Sequence, residues 1–218
     1  MKKSRTKVWA GVLSAAILSS ISICGTIAYL TTEDTIVNTL TVGQVDIELD
    51  EAAVTPDGQI IDGAERVKEN KYHLIPGHNY AKDPTITVKK GSKESYVRIM
   101  VSINKFETLN NILDNDFKLH NYISGWDSDV WEYTGAKEVV NDTITYEFRY
   151  FEPVNTRGIS EDVVLDELFD SITIPNEIDS SQLKMLNDLE ITTIGHAIQK
   201  EGFDTKEAAW EAFEKQDK

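Results

Sequence analysis

The chain has 218 residues, room for one domain of ordinary size plus processing segments, and its 37 acidic against 22 basic residues give a formal net charge of −15. A surface this acidic repels nucleic acid and anionic lipid headgroups. The one cysteine, Cys24, lies close to the start, so the rest of the chain has no disulfide and no thiolate chemistry and must be held by its hydrophobic core.

In chain order, four cations come first (Lys2, Lys3, Arg5 and Lys7), followed by 23 residues without a formal charge, 8–30. A basic start, an apolar run and the small-residue site Thr26-Ile27-Ala28 predict a secretory signal peptide over residues 1–28, cut between Ala28 and Tyr29. Cys24 is an apolar filler of that run, because bulky Ile23 stands where a lipid-attachment signal wants a small residue. The rival reading is an uncleaved anchor, since about 20 apolar residues span a bilayer. Cleavage removes four cations and no anion, so residues 29–218, read as a single domain, carry a formal charge of −19.

That domain reads as β-rich. Val45, Ile47 and Leu49 alternate with Asp46 and Glu48, the period of a half-buried strand. TPDGQIIDG (55–63) carries two Asp-Gly pairs, a hairpin signal, and IPG (75–77) is a turn. TITVKK follows Asp83-Pro84, and SYVRIMVSI (95–103) puts Val97, Ile99, Val101 and Ile103 on one face with Arg98 and Ser102 on the other. Residues 104–135 read as a long connection with apolar residues at helical intervals (Phe106, Leu109, Leu113) and the aromatic run GWDSDVWEY. TITYEFRYF repeats the strand period through Ile144, Tyr146, Phe148 and Tyr150, and SITIP (171–175) is a short strand. Ser180 or Ser181 caps a short helix over 182–187, and LEITTIGHAIQ (189–199) is strand-like. Asp204 or Thr205 then caps KEAAWEAFEK, an amphipathic helix burying Ala209, Trp210 and Phe213. Short strands separated by turns, with few helices, predict an antiparallel two-sheet β-sandwich carrying a few short helices, one of them C-terminal.

Chemistry-bearing motifs are sparse. The histidines His73, His78, His120 and His196 form no HExxH pattern, which would set two zinc ligands and a base on one helical turn. His73 and His78 read as solvated loop residues and His196 as a packed or edge residue. Asp114, Asp116, Asp127, Asp129 and Glu132 have a spacing that can bind calcium, but no glycine stands at the sixth position from Asp127. An acidic loop is the plainer reading. No nucleophile motif and no phosphate loop is present. The sequence therefore assigns no catalytic, cofactor-binding or metal-ligating residue.

Several blocks together carry a resemblance: GTIAYLTTEDTIVNTLTVGQVDIELDE (25–51), LIPGHNYAKDPTITV (74–88), SYVRIMVSI, LFDSITIP (168–175) and AIQKEGFDTKEAAWEAF (197–213). Their order and spacing resemble the TasA/camelysin family of bacterial exported proteins, whose leaders are cut by a SipW-type signal peptidase. The resemblance implies a jelly-roll-like sandwich, secreted to the exterior or cell surface, that self-associates into fibres of a biofilm matrix. Its membrane contact is through the leader alone. The resemblance also implies an alternative, a secreted metallo-endopeptidase, for which this sequence offers no zinc motif. An open sheet edge accepts a strand from a neighbour through main-chain hydrogen bonds. The expected donor follows the cleavage site: Leu30, Thr35, Ile36, Val37 and Asn38, in a segment expected to order only on insertion into another copy.

Overall fold

The computed structural model describes residues 45–215 and, for the backbone alone, residues 31–35 and 216. Among these, eleven strands follow in chain order: β1 Thr31–Thr35, β2 Ile47–Asp50, β3 Asn79–Ala81, β4 Thr85–Val88, β5 Ser95–Ile103, β6 Ile123–Ser124, β7 Trp131–Ala136, β8 Ile144–Tyr150, β9 Val163–Val164, β10 Ser171–Thr173 and β11 Ile191–Gln199. Three short helices accompany them: α1 Phe106–Ile112, α2 Ser180–Met185 and, at the C-terminal end, α3 Lys206–Gln216. The strand ladders are antiparallel, and the protein is mainly β.

The largest sheet has the order β1-β11-β5-β8-β7; two three-stranded sheets have the orders β3-β10-β6 and β2-β4-β9. Alternation along β5 sends Val97, Ile99, Val101 and Ile103 into the main core, each at most 1 % exposed. Their ladder partners on β8, Phe148, Tyr146 and Ile144, join them. The fourth residue of that predicted face, Tyr150, is only half-buried and packs edge-on against Trp131 at 5.0 Å. Ile47, Leu49, Ile86 and Val88 of β2 and β4 complete the core from the opposing side. At Gly195 of β11 a Cβ would stand 3.1 Å from Ile86 Cδ1, so the missing side chain sets how closely the two sheets approach.

The connection expected over 104–135 holds more structure than its sequence suggested. It contains α1, a 3-10 turn at Leu119–Asn121, β6 and β7. β7 begins at Trp131, fully buried with its indole Nε1 donating to the Asp166 carbonyl, and a bulge at Tyr133/Gly135 breaks the alternation that would have announced it. The cap of α2 also differs from expectation. Asp179, not Ser180 or Ser181, accepts from the backbone N–H groups of Ser181 and Gln182, and Gln182 reaches back to the Asp179 N–H as a capping box. Other local expectations hold: Gly58 N–H donates to the Thr55 carbonyl within the hairpin closed by the Val54–Ile60 bridge, His78 N–H donates to the Ile75 carbonyl around the IPG turn, and Thr205 Oγ1 caps α3 by accepting from Ala208 N–H.

Candidate functional site

β1 sits at the end of the five-stranded sheet, paired along its whole length with β11: Thr31 opposite Ile198, Thr32 opposite Ala197, Glu33 opposite His196, Asp34 opposite Gly195 and Thr35 opposite Ile194. Its threonines suit a strand. The pairing partner is therefore the chain's own β11, where the sequence suggested a segment waiting for a neighbour. Of the expected donor residues Thr35 lies in β1; Leu30, Ile36, Val37 and Asn38 lie outside the described residues, as do Ala28 and Tyr29 of the expected cleavage site.

β11 is flanked on its other side by β5, in a nine-residue register from Ile191–Ile103 to Gln199–Ser95. Alternation gives β11 two unlike faces. Thr193, Gly195 and Ala197 look into the main core, while His196 and Ile198 look outward, where α3 covers them. A second, small apolar cluster lies there, formed by Tyr96, Ile198, Ala209, Trp210 and Phe213 with Phe203 at its margin.

Arg98, on the face of β5 opposite its main-core residues, is only 2 % exposed beneath α3. Its guanidinium carbon lies 4.4 Å from the Trp210 ring centre and 4.8 Å from that of Phe213. Its Nη1 donates to Glu147 Oε1 at 3.3 Å and Glu214 Oε1 at 2.8 Å, and its Nε donates to His196 Nδ1 at 3.0 Å. Burial works against a charged Glu147, but hydrogen bonds from Lys137 and Arg149 and the charge of Arg98 outweigh it and hold the carboxyl down to about 2. His196 is pushed the other way from charge: burial first, then the Arg98 cation, lower it to about 3 against the pull of Glu147. The helical half of this cluster was legible in the sequence, since Ala209, Trp210 and Phe213 are buried as expected; its landing site on the outer face of β5 and β11, Tyr96 and Ile198, was not.

The remaining polar candidates do not converge. His73 is exposed, whereas His78, expected in solvent, is half-buried, hydrogen-bonded to the Asp57 carbonyl at 2.8 Å and packed on Tyr80 at 4.7 Å. His120 lies near Tyr133, at 6.2 Å. Asp127 closes its own turn by accepting from Asp129 N–H, Asp116 pairs with Lys118 at 2.7 Å, and Glu132 is tied to Lys206. Among the described residues no three His, Cys, Asp or Glu side chains are grouped to hold a metal ion, and no helix is long and apolar enough to cross a membrane. Compared with protein-family models, curated proteins and solved structures, the chain matches none.

Proposed function

We propose that the protein is a structural subunit, exported by a leader cut between Ala28 and Tyr29, that self-associates into extracellular fibres of a biofilm matrix by exchanging its N-terminal strand. The observation carrying this reading is the place of β1: a short N-terminal strand at a sheet edge, paired only with β11 in the described sheet order. The same ladder forms when β1 of one copy pairs with β11 of the next, so exchange conserves its main-chain hydrogen bonds. Nine residues separate Thr35 from Val45, a connection that spans at most roughly 30 Å when extended. Each subunit then gives a strand at one place and accepts one at another, a head-to-tail contact that extends without closing. The fold that accompanies this reading is a jelly-roll-like sandwich, with the five-stranded sheet facing β2-β4-β9 across the main core.

The test is to lock β1 at home. Thr35 and Ile194 stand opposite each other in the ladder, and the sole native cysteine, Cys24, falls within the proposed leader. A Thr35→Cys/Ile194→Cys variant is expected to stay monomeric when oxidised and to form fibres, seen by electron microscopy, once reduced. Equal assembly in both states would overturn strand exchange.

A further inference from the structure

We propose that α3 is an acid-released latch: protonation of His196 drives the helix off the outer face of β11 and β5 while the main core stays folded. The inference rests on the geometry of that face and is independent of whether the protein forms fibres.

The hydrogen bond between Arg98 and His196 fixes the chemistry. A guanidinium is always charged and can only donate, so Nδ1 of His196 must present its lone pair, and the ring is neutral with its proton on Nε2. A proton arriving at Nδ1 removes that acceptor and sets two cations 3.0 Å apart in a buried place. The ring cannot turn away freely, since the Phe213 ring lies against it at 4.7 Å. Arg98 cannot retreat without leaving Trp210, Phe213 and Glu214, the three α3 residues it binds.

The charged groups around His196 come from every element that packs there. β5 supplies Arg98 and β8 supplies Glu147, which is also held by Arg149 and by Lys137 just beyond β7. From α3 come Glu214 on Arg98, Glu207 at 3.9 Å from Arg149, and Lys206 on Glu132 of β7. β1 places Glu33 at the ladder position opposite His196. Within the docked cluster, burial and Arg98 outweigh Glu147 and keep the ring well below its ordinary 6.5.

Undocking of α3 lets water reach the ring and restores its ability to take a proton. Above the ordinary value both states are neutral. As the pH falls through 6.5 toward 3, the undocked state binds a proton that the docked state refuses, so docking weakens with acidity. The limit set by those two values is a loss of about 25-fold in the docking equilibrium between about pH 7 and about pH 5. α3 is suited to give way first, because it rests on the small outer cluster and not on the main core.

Hydrogen-exchange mass spectrometry on the purified protein, corrected for the intrinsic rate at each pH, reads this directly. Protection of Lys206–Gln216 is expected to fall by up to about 25-fold over that range while β5 and β8 keep theirs. His196→Gln retains an oxygen acceptor for Arg98 but cannot titrate, and its α3 protection is expected to stay flat. Unchanged protection in the parent protein, or the same loss in His196→Gln, would overturn the latch. Should that variant not fold, ring NMR of His196 in the parent decides: a titration near its ordinary value with α3 still protected refutes the proposal, and one that coincides with α3 opening supports it.

Discussion

Lys82 and Glu51 form a buried ion pair, Nζ to Oε2 at 2.5 Å with side chains 5 % and 6 % exposed. Asn70 Nδ2 adds a hydrogen bond to the other carboxylate oxygen at 3.0 Å. Two ions taken out of water gain little net stability from each other, but one left behind is costly. Lys82→Ala is therefore expected to destabilise the protein by about 3–5 kcal/mol, read as a shift in the urea midpoint at unchanged slope. The double change Lys82→Met/Glu51→Leu is expected to recover most of that loss. Neither residue announced the pair, since Lys82 sits in the short AKDP connection and Glu51 ends an acidic run. A contact 31 residues apart depends on how β2 meets the segment between β3 and β4, which local periodicity does not encode. Arg98 teaches the same limit differently: the alternation of β5 gave its face correctly, but only the packing of α3 made that face an interior.

At the scale of elements, the strands with unbroken alternation were legible, as was the three-residue β10 within SITIP, whereas the bulged β7 and the very short β3, β6 and β9 were not. β5, β8 and β11 follow their period through seven to nine residues. β3, β6 and β9 are too short to show a period, and what defines them is ladder pairing with β10 or β4, distant in sequence. The two Asp-Gly pairs of the 55–63 loop show what sequence identity conceals. Gly58 and Gly63 both have positive φ, 74° and 73°. Around Gly63 a Cβ would meet nothing within 4 Å, whereas at Gly58 it would lie 2.7 Å from Tyr80 Cα and 2.6 Å from its ring. Gly63→Ala is expected to lose only the left-handed backbone preference, about 1–2 kcal/mol. Gly58→Ala adds overpacking of about 1–3 kcal/mol, displacing a tyrosine whose hydroxyl donates to the His73 carbonyl and accepts from Ile75 N–H. Thermal denaturation of the two variants side by side checks the order, and equal losses would mean that the loop moves as a unit away from Tyr80.

For the whole molecule, the excess of 37 acidic over 22 basic residues makes any two copies repel each other. If strand exchange builds fibres, each encounter first brings together two surfaces of the same sign, and the cost is paid in association rate before any ladder forms. Salt and acid both reduce that repulsion, but they are not equivalent probes. Acid also acts inside the subunit, where Glu147 contributes stability that is complete above its ordinary 4.5 and is lost as the pH falls toward about 2. His196 adds a loss that begins higher, below 6.5. Salt screens the exposed charges and leaves the buried cluster nearly untouched, with a Debye length shrinking from about 10 Å at 0.1 M to about 3 Å at 1 M. At neutral pH, light scattering from the purified protein is therefore expected to rise faster with added sodium chloride, while the urea midpoint of the monomer changes little. A rate indifferent to salt would show that opening of the β1–β11 ladder, not the meeting of two anions, limits assembly.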